Sequence, residues 1–208
     1  LDDRLDRSPA DLVILYGGEQ DGALGTCGCP GDPKGSLGRV HGYAAAVREQ
    51  GTPTLLVNAG NWLTDVAGTD ALLPATRTRN AHMLDAVTGE TSGWDALNIS
   101  FRDLPGLGEP DRFPAEAVSA NLKGGGAPFR IVERNGIKVA LTGVTAWKKD
   151  YLQPQGFERT DPVEALQALV PTLREQADLI VVTSYGLGRT NKQLAALDID
   201  VLIDADTH

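Results

Sequence analysis

Thr54-Leu55-Leu56-Val57-Asn58-Ala59-Gly60-Asn61 reads as a short apolar strand that stops on small and polar residues. An apolar run without strict alternation is the pattern of a strand covered on both faces of its sheet. The same pattern recurs at Leu12-Val13-Ile14-Leu15, at Ala96-Leu97-Asn98-Ile99 and at Ala117-Val118-Ser119-Ala120. It returns at Val139-Ala140-Leu141-Thr142, at Leu179-Ile180-Val181-Val182 and at Val201-Leu202-Ile203. Helical patterns separate several of these runs. Val40, Tyr43, Ala44 and Val47 keep one apolar face before Gly51 and Pro53 end it. Asp161-Pro162-Val163-Glu164 is an N-cap, a proline at the first helical position and an acidic first turn. Leu166, Leu169, Leu173 and Ala177 continue that stripe, and Pro171 is expected to kink or interrupt it. One stretch breaks the alternation. Phe129 to Val132 and Ile137 to Leu141 flank Asn135-Gly136, which supplies the positive φ angles of a type I′ hairpin turn. The expectation is one mainly α/β domain over residues 1–208, with an antiparallel hairpin joining two halves.

Composition bounds what such a domain can do. The chain has 208 residues, 41% hydrophobic and 23% charged, which is the make-up of a globular domain with a sizeable core. Nineteen Lys and Arg against 28 Asp and Glu give a formal charge of −9. Such a surface is repelled by nucleic-acid phosphates and by anionic lipid, so neither is expected as the main partner. No segment approaches the ~20 apolar residues of a membrane helix. Two cysteines cannot build a disulfide framework or a four-cysteine zinc site.

The strand ends carry a resemblance. Ile14 to Gly22 resembles a first strand and its His-Thr-Asn-Asp-x-His-Gly ending, and Gly35-Ser36-Leu37-Gly38-Arg39 resembles a Gly-Gly-Leu-Ala-Arg helix start. Leu55 to Asn61 stands where an Asp-Ala-Gly-Asp ending would be, and Gly93-Trp94-Asp95-Ala96 resembles the Gly-Tyr-Asp-Ala before a Gly-Asn-His-Glu motif. Val118 to Asn121, Lys138 to Gly143, Asp178 to Ser184 and Ile199 to His208 match further strands in order. Together these resemble the metallophosphoesterase superfamily, in its 5′-nucleotidase and UDP-sugar hydrolase branch. The resemblance implies a four-layer α/β/β/α sandwich with two metal ions at the carboxyl ends of its central strands, and an exported or periplasmic setting. It also implies hard oxygen and imidazole ligands that generate hydroxide and clamp phosphoryl oxygens.

On the ligand positions this chain departs from the family. Glu19 stands for the first Asp, Asp21 for the His two residues on, and Asn61 for the bridging Asp. Phe101-Arg102 stands for the Asn-His pair, with Ser100 or Asp103 offered by a small shift of alignment. Tyr185 replaces a lone His, Asp206 replaces another, and His208 remains. With one imidazole, no bridging carboxylate and a guanidinium near a metal position, such a set is not expected to hold two dications. The general acid is lost with the histidines. Glu19, Asp21, Asp206 and His208 could still take a single hard cation, or simply be solvated or paired with Arg102. No cofactor is expected beyond at most one divalent metal ion.

Cys27-Gly28-Cys29-Pro30 lies in a glycine-rich loop near that rim. Such a pair can present two thiolates to Cu(I) or Zn²⁺, form a small strained disulfide, or serve as a plain loop staple. Neither Lys34 to Arg39 nor Gly186-Leu187-Gly188 completes a phosphate or dinucleotide motif. His82 and Met83 suggest packing, and Trp62, Trp94 and Trp147 are core or interface anchors. The expected function is therefore a catalytically degenerate domain that binds or scaffolds in an exported protein or envelope complex. The alternatives are a hydrolase with an altered single-metal site, and a redox or soft-metal module using Cys27 and Cys29. A partner, or a further domain beyond His208, is expected to cover the sheet edge there.

Overall fold

Alternation inside the apolar runs sorts each strand's side chains onto two different cores. The computed structural model describes residues 10–26, 28, 31, 35–64, 73–88, 93–107, 113–147, 155–186 and 188–205. In chain order the elements are β1 (Val13–Gly17), α1 (Leu37–Glu49), β2 (Thr54–Asn58), α2 (Pro74–Val87) and β3 (Ala96–Asn98). Then follow α3 (Leu104–Leu107), β4 (Ala117–Val118), β5 (Leu122–Lys123), β6 (Arg130–Arg134) and β7 (Ile137–Thr145). The last are β8 (Glu158–Arg159), α4 (Pro162–Gln176), β9 (Leu179–Tyr185), α5 (Gly188–Leu194) and β10 (Val201–Asp204).

Strands β1-β2-β3-β4 form an all-parallel sheet in that order. The second sheet runs β10-β9-β7-β6, parallel except for the β6–β7 hairpin, whose Asn135 and Gly136 have φ of 53° and 77°. Leu55, Val57 and Ala96 of the first sheet meet Val139, Leu141, Val181 and Ile203 of the second in one core. Leu56 and Leu97 point the other way, onto Leu37 and Ala44 of α1 and Met83 and Val87 of α2. Ala140, Val144, Ile180 and Val182 pack against Leu166, Val170 and Leu173 of α4 and Leu194 of α5. The layers are therefore helix, sheet, sheet, helix, as expected. Fully burying one such Leu or Val contributes roughly 1.5–3 kcal/mol, so strands buried on both faces must be apolar throughout.

The structure resolves several details of the sequence reading. Helix α4 continues through Pro171; the residue is exposed, so the helix accommodates its missing N–H on the solvent side. The antiparallel pair β5–β8 has too few residues to leave a periodic signal. Trp62 and Trp94 are core residues, and only Trp147 keeps a half-exposed position, with the Arg159 guanidinium 4.2 Å from its ring centroid. His82 is exposed while Met83 is buried.

Asparagines at the strand ends stitch the two sheets where the loops begin. Asn98 Nδ2 donates to the carbonyls of Ala59 and Val144, at 3.0 and 3.1 Å. Asn121 accepts from Thr145 N–H and donates to the carbonyls of Thr145 and Thr160. A Cβ at Gly143 would overlap the Asn98 side chain, so this β7 position takes only glycine without a shift.

Candidate functional site

At the carboxyl ends of the first sheet, the loop after β1 zips onto the loop after β2. Ala59 N–H donates to the Gly17 carbonyl, and Glu19, Asp21 and Gly22 N–H donate to the carbonyls of Gly60, Asn61 and Trp62, all between 2.8 and 3.1 Å. This ladder brings Glu19 and Asp21 beside Asn61. All three adopt left-handed backbone, with φ of 56°, 47° and 57°. Asparagine and aspartate visit that region with local hydrogen bonding, but for Glu it costs of order 1 kcal/mol, strain that persists only where the surroundings enforce it.

Glu19 is the hub of the side-chain geometry. Its Oε1 accepts from the Tyr185 hydroxyl at 2.5 Å, and its Oε2 accepts from Asn61 Nδ2 at 2.9 Å. Tyr185 is fully buried, edge-on to Phe101 at 5.4 Å, and packs over Gly60, where a Cβ would come within 2.8 Å of its ring. Gly60 has φ 120°, so both its backbone and this contact call for glycine. The Arg102 guanidinium lies 5.6 Å from the Phe101 ring centroid and 5.8 Å from that of Tyr185, within cation–π range. Partial burial raises the Asp21 carboxyl above its ordinary value; Arg79 opposes that, Glu19 adds to it, and Arg102 opposes it.

Beneath this layer Asp103, fully buried, pins the loops. It accepts from the backbone N–H of Asn61, Leu63 and Ser100 and from the Ser100 hydroxyl, at 2.6 to 3.0 Å. Burial pushes its carboxyl up to about 6, against the pull of those donors. On the neighbouring turn Asn58 donates to Gln20 Oε1 at 2.6 Å and accepts from Gly60 N–H.

The structure thus brings together Glu19, Asp21, Asn61, Arg102 and Tyr185 from four separate stretches of chain. Asp206, His208, Cys27 and Cys29 lie outside the described residues. Arg79, from α2, joins the site without a sequence signal, because nothing in its local pattern links it to the strand ends. Asp103 is visible in sequence only as a shifted alternative to a ligand, and its place is structural.

Among the described residues the donor set does not fit a two-metal cradle. Both Glu19 oxygens accept hydrogen bonds from neighbours, the central position is a neutral amide, and a phenol stands where the resemblance implies an imidazole. Asn61 Oδ1, sealed from solvent, has no partner among the described residues, and it is a neutral amide oxygen where a bridging carboxylate would be needed between two cations. Among the described residues no group of three or more His, Cys, Asp or Glu could hold a metal ion. No helix among them is long and apolar enough to cross a membrane.

Comparison with known proteins agrees with this architecture. No protein-family model matches the chain. It is 27% identical over 136 residues to the uncharacterized metallophosphoesterase YunD of Bacillus subtilis (strain 168), covering 61% of this chain and 29% of that protein. Its fold is similar to that of Haemophilus influenzae NAD nucleotidase (NadN), with a TM-score of 0.70 and 17% identity over 94% of this chain and 38% of the other. It is also similar to a 5′-nucleotidase precursor from Thermus thermophilus, with a TM-score of 0.65 and 19% identity over 92% of this chain and 41% of the other. The chain spans less than half the length of each of these proteins.

Proposed function

From the premise that this chain has the fold of the 5′-nucleotidase-type metallophosphoesterases, we propose that it is a catalytically degenerate form of that fold, acting as a binding or scaffolding module in an exported protein or envelope assembly. The carrying observation is the closed set of Tyr185, Glu19 and Asn61: two hydrogen-bond donors hold the carboxylate in the place where the resemblance expects metal ligands. A dication there would compete with both donors for the carboxylate oxygens and sit near the Arg102 guanidinium, whose charge repels it. Export is supported by the description of one structural neighbour as a precursor. A protein partner or a further domain covers the β10 edge; β10 pairs only with β9 among the described residues, and Tyr16 on the outer strand β1 is 68% exposed.

The test is metal content by mass spectrometry on the purified full chain, with a phosphatase assay on nucleoside monophosphates in added Mn²⁺. The expected result is sub-stoichiometric metal and no turnover above buffer. Stoichiometric metal with turnover abolished by Asp21→Ala would overturn the reading in favour of an altered hydrolase. Thiol titration that finds a reversible Cys27–Cys29 disulfide would move it toward a redox module.

A further inference from the structure

At the other end of the first sheet, where β2, β3 and β4 begin, lies a cavity of about 590 Å³. Its wall includes three arginines, Arg48 of α1 and Arg130 and Arg134 of β6, with Asp95, Glu116 and Trp94. Asp95 is buried and its charge is already engaged. Its Oδ2 accepts from Leu56 N–H at 2.8 Å and from Arg48 at 3.3 Å, and its Oδ1 accepts from Arg134 at 2.6 Å. One carboxylate therefore faces two guanidiniums. Among the described residues Arg130 donates only to the neutral Ala115 carbonyl, at 2.6 Å. Three cations against two carboxylates make this a positive concavity on a chain of net charge −9. Each guanidinium has five N–H donors in a planar fork that matches carboxylate and phosphate oxygens, and its hydrogen bonds to the described residues use one or two of them on each arginine. Arg48 and Arg134 keep 33% and 37% of their side-chain surface exposed, so the remaining donors can be reached. The volume falls within the range of small-molecule sites.

We propose that this cavity binds a small organic or inorganic dianion, carrying phosphate or paired carboxylates, held by Arg130 with Arg48 and Arg134. The site is separate from the Glu19 cluster, at the opposite strand ends, and does not depend on the functional reading given to that cluster. Arg130 is the discriminating residue, since it takes no part in the Asp95 ion pairs and can be changed without opening them.

The experiment is calorimetric titration of the full chain with inorganic phosphate and, separately, with succinate, with the Trp94 indole N–H followed by NMR. At least one probe is expected to bind with a shift of the Trp94 signal, and Arg130→Gln is expected to weaken it about tenfold or more. Glu19→Gln should leave that affinity unchanged. The tighter probe identifies which chemistry the cavity takes. Absence of binding by both probes, or equal affinity in Arg130→Gln, overturns the proposal; so does binding that Glu19→Gln abolishes.

Discussion

At the scale of single residues, Asp103 sets the terms for the site above it. Replacing it by Asn points an N–H toward donors that need an acceptor, leaving a buried group unpaired at a cost of roughly 1–3 kcal/mol. Asp103→Asn is therefore expected to lower the melting temperature with the secondary structure intact, as read by circular dichroism. The parent's pH dependence has a sign. Its folded pKa of about 6 lies above the ordinary value of 3.8, so the folded state holds this proton more tightly than the unfolded chain. The resulting stabilisation is fully present below about pH 4 and is lost as pH rises through about 6. Melting temperatures from pH 4 to 6 are expected to carry this decline in the parent and to lose that component in Asp103→Asn. Asp200, lowered by its hydrogen bond to Arg174, works in the opposite sense as pH falls and is common to both proteins. A second prediction concerns Asn61. Asn61→Asp removes the donor to Glu19 and sets a like charge in its place, costing about 1–2 kcal/mol in metal-free buffer. Added Mn²⁺ should raise the melting temperature of that variant more than that of the parent.

At the scale of elements, space and backbone decide what a strand or helix tolerates. Gly143→Ala on β7 drives a methyl group into Asn98, which already holds the Ala59 and Val144 carbonyls. The expected loss is roughly 1–3 kcal/mol by chemical denaturation. Pro171→Ala in α4 restores a helical N–H at an exposed position and should stabilise by about 1 kcal/mol or more, as a higher denaturant midpoint with an unchanged slope. The strands were legible because each double-buried run is apolar over its length, and the hairpin because Asn135-Gly136 has few other uses. Glu19, Asp21 and Asn61 were legible as strand-end positions, but their mutual contacts were not. A ladder between the β1 and β2 loops and a hydroxyl reaching from Tyr185 to Glu19 join residues far apart in sequence. Periodicity carries no information on such pairs. The same limit hid Arg79 and the β5–β8 pair.

At the scale of the whole molecule, the charge of −9 and the two opposite strand ends divide the surface by chemistry. An electrophoretic assay with duplex DNA at physiological salt is expected to show no complex, because long-range repulsion outweighs a local positive concavity. The four-layer frame itself is held by three apolar clusters that contain none of Glu19, Asp21, Asn61, Arg102 and Tyr185, which is why the frame tolerates the chemistry of that site. Tyr185 also limits what this position accepts. A phenol wedged against bare backbone cannot be trimmed to an imidazole without emptying volume, and Gly60 has no side chain to refill it. Truncating a buried aromatic costs roughly 3–5 kcal/mol at the extreme of alanine, and an imidazole forfeits part of that. Tyr185→His is therefore expected to have a weaker fold, read as a lower denaturation midpoint. The ring acts as a keystone, holding the volume that bare backbone leaves open.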